Sequence, residues 1–82
     1  MRLPRDLSGR QLVKSLAVLG YVVTRQKGSH IRLTTPQQGE HHLTIPDHDS
    51  LRVGTLRSIL ANVATHFATT VDELADLLFP RE

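Results

Sequence analysis

Apolar residues near the start of the chain recur with the spacing of one helix face. Leu12, Leu16 and Leu19 stand at positions i, i+4 and i+7, and Val13 widens the stripe. This pattern predicts an amphipathic helix that buries its leucine face and leaves basic residues on the other side.

Capping residues mark both ends of this helix. Ser8 is a suitable N-cap, and Gln11 three residues later completes a capping box, in which each side chain accepts from a backbone N–H of the first turn. Gly20 is the expected stop, because glycine enters the left-handed conformation without a Cβ clash. The first helix is therefore predicted between Ser8 and Gly20.

The period changes to that of strands after the first helix. Segments rich in β-branched or alternating apolar residues predict strands over residues 21–26, 30–34 and 41–45. Turn-forming residues at 27–29 and 36–39 separate the strands, and Pro46 ends the third.

Alternation within the second and third predicted strands divides the sheet into two faces. One face, expected to meet the core, carries Ile31, Leu33, Leu43 and Ile45. The other, expected to stay free, carries His30, Arg32, His42 and Thr44. The first strand is ambiguous, because the adjacent Val22 and Val23 point to opposite faces.

Two further helices are predicted after the strands. The second, from residue 54 or 55 to residue 65, has the apolar stripe Leu56, Ile59, Leu60 and Val63. A short third helix starts at Thr70, with Glu73 completing a second capping box and with Leu74, Leu77 and Leu78 as anchors. The order α-β-β-β-α with a short C-terminal helix predicts an α+β fold, in which the helices cover one face of a three-stranded antiparallel sheet.

Length and composition narrow the class of protein. The 82 residues are expected to form one domain over positions 1–82. No cysteine is present, which excludes disulfides and thiolate chemistry. No apolar run approaches the roughly 20 residues of a membrane span, and none follows Arg2 and Arg5 as the core of a secretion signal would. The expected location is the cytoplasm, away from membranes.

Charge is unevenly distributed along the chain. Positions 1–34 hold seven basic residues and one acidic residue (7 − 1 = +6), whereas positions 35–82 hold three basic and seven acidic residues (3 − 7 = −4). The basic residues of the first segment are Arg2, Arg5, Arg10, Lys14, Arg25, Lys27 and Arg32. This polarity favours a polyanionic ligand, although scattered solvated charges would give the same count.

Several short motifs follow one another in a fixed order between residues 8 and 60. They are Ser8-Gly9, Leu19-Gly20-Tyr21, Arg25-Gln26-Lys27-Gly28-Ser29-His30, Ile45-Pro46-Asp47-His48 and Val53-Gly54-Thr55-Leu56-Arg57-Ser58-Ile59-Leu60. Together they resemble the HicA family of small toxins. The resemblance implies a double-stranded-RNA-binding-domain-like fold and an endoribonuclease that cleaves messenger RNA. It also implies catalysis at the Gly-x-His histidine, here His30, and a HicB-type antitoxin as partner.

The residues around His30 suit this chemistry. RNA supplies its own nucleophile, the ribose 2′-hydroxyl, and histidine suits the proton transfers because its intrinsic pKa of about 6.5 lets both forms coexist near neutrality. Arg25, Lys27 and Arg32 are close enough in sequence to hold the phosphate, and Gly28 permits close approach of the backbone to the substrate.

Two more residues belong to the candidate site. Ser29 lies in the same turn, and His48 lies two residues beyond the point where the third strand is expected to pass His30. We expect His48 either to be a second proton-transfer group or to order its loop and contact RNA. The other histidines are expected to be solvated or structural: His41, His42 and His66.

The sequence also bears on functions other than a ribonuclease. Neither a metal nor another cofactor is expected, because His41 and His42 are adjacent on a strand and point to opposite faces. A non-catalytic module that binds RNA by its shape is the alternative, and a protein-interaction domain that uses the leucines of the third helix stays open. RNA binding without cleavage would favour the module, and the absence of both would favour the interaction domain.

Overall fold

The computed structural model describes residues 3–80. Within that range the elements are α1 (Gly9–Leu16), β1 (Val22–Lys27), β2 (His30–Thr35), β3 (His41–Pro46), α2 (Val53–His66) and α3 (Val71–Leu78). The strands form one antiparallel sheet in the order β1-β2-β3. The predicted α+β fold, consistent with a double-stranded-RNA-binding domain, is confirmed. Arg2 and Arg81, counted in the charge balance, lie outside the described residues.

The first helix begins as predicted and ends earlier. The Ser8 hydroxyl accepts from the Gln11 N–H at 3.0 Å, and the Gln11 side chain accepts from the Ser8 N–H at 2.9 Å. The α-helix stops at Leu16, however, and a 3₁₀ turn over Ala17–Leu19 leads to Gly20, whose φ is +82°. This tighter turn leaves Leu19 only half-buried.

The core lies between the inner face of the sheet and the helices. The alternation predicted for β2 and β3 is confirmed, since one set of side chains is buried and the other is exposed. The buried set is Ile31, Leu33, Leu43 and Ile45. These residues pack with leucines of α1 and with the apolar stripe of α2 in one cluster. Among residues 3–80 no helix covers the outer face of the sheet.

The last two helices differ from their predictions in detail. α2 begins at Val53 without a side-chain cap. At α3 the Thr70 hydroxyl accepts from the Glu73 N–H at 3.1 Å, but the Glu73 carboxylate accepts from that hydroxyl, so only half of the predicted capping box forms. Leu77 was predicted as an anchor and is 52 % exposed. Leu74 and Leu78 are buried in the core, which leaves the predicted protein-interaction surface with one exposed leucine.

A membrane span was not expected, and no helix within residues 3–80 has both the length and the apolar character to cross a bilayer.

Candidate functional site

A two-residue turn presents His30 at one end of the sheet. Gly28 and Ser29 connect β1 to β2, so that Lys27 and His30 face each other as the first cross-strand pair. The turn needs a positive φ of +58° at Gly28, which glycine adopts without strain. Nothing lies within 4 Å of where a Gly28 side chain would begin, so the backbone here is open to a ligand.

An irregularity in β1 decides which of its side chains share the face of His30. The register shifts between Val23 and Arg25, as in a β-bulge. Beyond the shift Arg25 pairs with Arg32, and Lys27 pairs with His30. All four therefore lie on the open face of the sheet, and we call them the basic face.

The basic face is positively charged and has no internal partner. Its four side chains are exposed, and within residues 3–80 none of them makes a hydrogen bond or an ion pair. Arg25 and Arg32 stand directly opposite each other, and like charges in that arrangement are destabilising. An anion bound between these two guanidinium groups would remove that cost.

Asp47 fastens the turn to the rest of the molecule. Its N–H donates to the carbonyl oxygen of Ser29 at 2.7 Å. Its carboxylate accepts from Arg10 of α1 at 2.9 Å and from the side chain of Gln26 at 3.4 Å. One residue thus links α1, β1 and the turn that carries His30.

The start of α1 packs against the end of β3 and the loop that follows it, over residues 46–48. A Cβ on Gly9 would overlap the carbonyl oxygen of Pro46 and lie 3.2 Å from the Cα of Asp47. The Gly9 N–H donates to the carbonyl oxygen of His48 at 2.9 Å. Glycine is therefore required where the helix meets the loop, and this contact fixes the backbone of His48.

The structure brings His48 near the site without joining it to His30. Pro46 is the cross-strand partner of His30, as expected from folding β2 against β3. His48 lies two residues further, and its ring is exposed and makes no hydrogen bond within the described chain. Its predicted role in proton transfer stays a prediction.

The far end of the open face is occupied by a polar network. The His42 ring bonds to the Thr34 hydroxyl at 2.8 Å and to the Glu40 carboxylate at 3.1 Å, and the Thr34 hydroxyl also contacts Thr24 at 3.0 Å. His42 is exposed, as predicted, but both of its ring nitrogens are engaged. It is less available to a substrate than His30 is.

The remaining histidines form a packed cluster at the same end of the sheet, on the face that the helices cover. We call this cluster the histidine stack. The ring of His41 stacks on that of His66 with centroids 4.2 Å apart. His41 Nδ1 lies 2.6 Å from the hydroxyl of Tyr21, and its Nε2 lies 3.3 Å from Asn62 Oδ1. His66 Nε2 donates to the carbonyl oxygen of Gln37 at 2.9 Å. The sequence left a solvated and a structural role open for His41 and His66, and these contacts favour the structural one.

Burial sets the proton positions in the histidine stack. It raises the pKa of Tyr21 to about 12, so the hydroxyl keeps its proton and can donate it to His41 Nδ1. Burial lowers the pKa of His41, and the neighbouring His66 and His42 lower it further, whereas the hydrogen bond to Asn62 opposes the shift. When Nδ1 of the neutral ring accepts from Tyr21, the Nε2 proton goes to Asn62 Oδ1.

Sequence reasoning missed the residues whose contacts are distant in the chain. Asp47 is joined to residues 37 and 21 positions away, and Thr35, which is fully buried, donates to the carbonyl oxygen of Leu19 at 2.7 Å. The motif Pro46-Asp47-His48 was the available signal for the first, but no local pattern marked its partners.

Several acidic and histidine residues lie close together in the sequence between residues 41 and 49. Among the described residues, no three such side chains are placed to hold an ion.

Comparison with known protein families identifies the chain. A family model described as the HicA toxin of bacterial toxin-antitoxin matches residues 9–63, about two thirds of the 82-residue chain. The chain belongs to the HicA toxin family. No curated protein and no solved structure matches it.

Membership of the HicA family gives the site its context. A HicA protein is the toxin of a toxin–antitoxin system, which implies a cognate antitoxin. The matched range contains the basic face, Asp47 and His48, and it ends within α2, so α3 lies outside it.

Proposed function

We propose that this toxin is an endoribonuclease that cleaves messenger RNA in the cytoplasm without a metal ion, with His30 as the proton-transfer residue. The arrangement of the basic face carries the proposal. The exposed His30 lies directly opposite Lys27, and the Arg25–Arg32 pair is the next cross-strand pair on the same face. None of these side chains has a partner within residues 3–80. Free positive charge around a free imidazole suits a phosphodiester.

The proposed reaction uses the nucleophile of the RNA. The ribose 2′-oxygen forms a bond to the adjacent phosphorus, the bond from phosphorus to the 5′-oxygen breaks, and a 2′,3′-cyclic phosphate results. One proton leaves the 2′-hydroxyl and another reaches the departing 5′-oxygen, and His30 is positioned for such a transfer. Arg25, Lys27 and Arg32 would neutralise the phosphate, whose negative charge grows in the transition state.

The turn contributes backbone to the same site. Gly28 leaves open space where a side chain would begin, so a phosphate or ribose can approach the main chain. The carbonyl oxygen of Ser29 is engaged by Asp47, which fixes the turn, while the Ser29 hydroxyl is exposed and unbonded within the described residues. We assign Gly28 and Ser29 to substrate binding.

A second proton-transfer group would complete the mechanism. One acid or base contributes about 10²- to 10⁴-fold, so His30 alone would give a slow enzyme. His48 is the proposed second group, because its backbone is fixed beside Pro46, the partner of His30, and its ring has no partner in the described part of the chain. Replacing His48 should then lower the rate further without weakening RNA binding.

The antitoxin is proposed to be a HicB-type protein that covers the basic face. Four exposed side chains on this face include three permanent cations and no acidic residue. A partner that buries them must supply acidic groups, because unpaired buried charge is costly.

The decisive assay is RNA cleavage in the presence of a chelator, with product ends identified by mass spectrometry. We expect cleavage to persist, products to end in a 2′,3′-cyclic or 3′-phosphate, and a 2′-deoxy substitution at the cut site to abolish cutting there. Loss of activity with chelator, or products with a 3′-hydroxyl, would contradict the proposal.

One observation favours the non-catalytic alternative. The ring of His30 makes no hydrogen bond within residues 3–80, whereas catalytic histidines are commonly oriented by a second residue. A module that only binds RNA needs no such orientation. Salt-dependent RNA binding without any cleavage would establish this alternative.

A further inference from the structure

β1 is an edge strand that the rest of the described chain leaves uncovered. One side pairs with β2, and the other pairs with no strand. All six of its residues are exposed, and none makes a backbone hydrogen bond outside the sheet within residues 3–80. The other edge strand, β3, is buried at alternate positions and ends in Pro46, which has no N–H.

A groove runs beneath β1, between it and α1. Its volume is about 190 Å³, and its lining residues are Arg10, Val13, Lys14, Val23, Gln26 and Ile31. The floor is apolar, since Val13, Val23 and Ile31 supply it, and basic residues stand at the rim. None of the described lining residues is aromatic, so the groove offers single-stranded RNA no surface on which to stack bases.

The two faces of β1 differ in chemistry. Arg25 and Lys27 point to the open face, whereas Val23 and Gln26 point to the groove. Side chains of a neighbouring strand alternate in the same way. A strand added to β1 would therefore fit best with acidic residues above the sheet and apolar residues below it.

We propose that β1 pairs, edge to edge, with an extended acidic and apolar strand of the antitoxin, and that the groove beneath receives its apolar side chains. The partner's identity as antitoxin rests on the proposed function and on the HicA family. A second copy of this chain fits poorly, because it would bring Arg25 and Lys27 against the same residues of the other copy. Backbone pairing supplies affinity, and alternate side chains supply specificity.

This mode of binding would link docking to inhibition. Neighbouring strands lie about 4.8 Å apart, so acidic residues on the upper side of the added strand would stand beside Arg25 and Lys27. They would occupy the cations that otherwise hold the RNA phosphate. The antitoxin would then block the site by extending the sheet, without inserting a group between His30 and its neighbours.

Amide hydrogen exchange tests the pairing directly. Lys27 and His30 close a two-residue turn and bond to each other, so the next pair leaves the Gln26 N–H pointing to the free edge. In the complex with the cognate antitoxin, the Gln26 amide should become protected. The Lys27 amide, already bonded to β2, is the internal control and should be protected in both states.

A pair of variants with equal exposure tests the groove. Val23→Asp places a charge where the apolar side chains should lie, and Leu77→Asp alters a residue on α3 that is exposed to the same extent, 52 % against 51 %. We expect Val23→Asp to weaken antitoxin binding about 100-fold and Leu77→Asp to leave it unchanged. Both variants should melt as folded proteins and cleave RNA at the wild-type rate.

Two outcomes with the antitoxin would overturn the proposal: binding that leaves the Gln26 amide unprotected, and equal affinity of the two variants for the antitoxin. Two outcomes without the antitoxin would also overturn it: protection of the Gln26 amide by RNA, and its protection in the free protein through self-association. Protection by the antitoxin in a protein that does not cleave RNA would support the edge pairing while it contradicts the ribonuclease.

Discussion

His30 and His41 begin neighbouring strands at opposite ends of the sheet, and their surroundings have little in common. His41 stacks on His66 and bonds through both ring nitrogens. His30 is exposed and has no hydrogen bond within residues 3–80. A ring nitrogen that is already bonded cannot exchange a proton with a substrate, so the residue type alone does not mark the reactive histidine. Within residues 3–80 the rings of His30 and His48 have no such bond, which is why the proposed mechanism uses them.

The two ends also differ in how charge is balanced. At the histidine stack, His41 bonds through both ring nitrogens and His66 bonds through Nε2, so these contacts hold β3, α2 and the loop between β2 and β3 together. At the basic face the backbone is fixed by Asp47 and Gly9, while Arg25 and Arg32 are left facing each other. A fixed backbone that carries unpaired cationic side chains is the arrangement expected of an anion-binding site.

The largest effect is expected where the helix meets the site loop. Gly9→Ala would press a methyl group into the Pro46 carbonyl, and we expect a loss of about 3 kcal/mol in unfolding free energy, measured by urea denaturation. Gly54→Ala is the matched control, because its Cβ meets nothing within 4 Å, and its effect should stay under about 1 kcal/mol. Equal effects would mean that the contact does not fix the loop.

A smaller loss is expected at the histidine stack. Tyr21→Phe keeps the buried ring but removes the proton that His41 Nδ1 accepts, which should cost about 1–2 kcal/mol. His30→Gln, at the free end, should change the unfolding free energy by less than about 0.5 kcal/mol. If both variants melt alike, the difference between the two ends is not energetic.

The sequence predicted those parts of this comparison that depend on local pattern. The period of two placed His30 and Arg32 on the free face, and the Ser8 cap and Gly20 fixed the limits of the first helix and its turn. The register shift in β1 was not predictable, because it depends on pairing with β2 and on no residue of β1 alone. This shift places Arg25 and Lys27 on the open face of the sheet, together with His30 and Arg32.

Other errors have the same physical origin. Leu77 fits the helical stripe of α3, but an eight-residue helix meets the core with only part of its apolar face. The anchoring role of Asp47 was not visible in the sequence, because its partners, Arg10 and Gln26, are far away in the chain. Periodicity shows that a face is apolar or polar, and tertiary packing decides what that face contacts.

Removing one cation of the basic face should raise the unfolding free energy and lower the affinity for RNA. Arg25→Gln relieves the repulsion with Arg32, so we expect the unfolding free energy to rise by a few tenths of a kcal/mol. RNA affinity should fall similarly for all sequences, and the slope of log K against log salt should shrink by about 0.7. Arg57→Gln, on the exposed side of α2, should leave that slope unchanged. A loss confined to one RNA sequence would indicate base recognition instead.

The smallest effect concerns pH. Because the folded protein lowers the pKa of His41, the unfolded chain binds its proton first on acidification. The stabilising contribution is complete above the unfolded value of about 6.5 and is lost as pH falls through the lower folded pKa. Denaturation midpoints should therefore fall between pH 7 and pH 5. This slope should be reduced in His41→Gln and retained in His30→Gln, and the reverse pattern would contradict the assignment.

The central claim is that the free histidine does the chemistry and the bonded one maintains the fold. A melting curve and an RNA cleavage time course in chelator, for His30→Ala and His41→Ala beside the wild type, test both halves together. We expect His30→Ala to lose less than about 1 kcal/mol of stability and about 10²-fold or more in cleavage rate. His41→Ala should melt earlier and cleave within a few-fold of wild type below its melting temperature. A His30→Ala protein that melts like wild type and cuts RNA at a comparable rate would contradict the account.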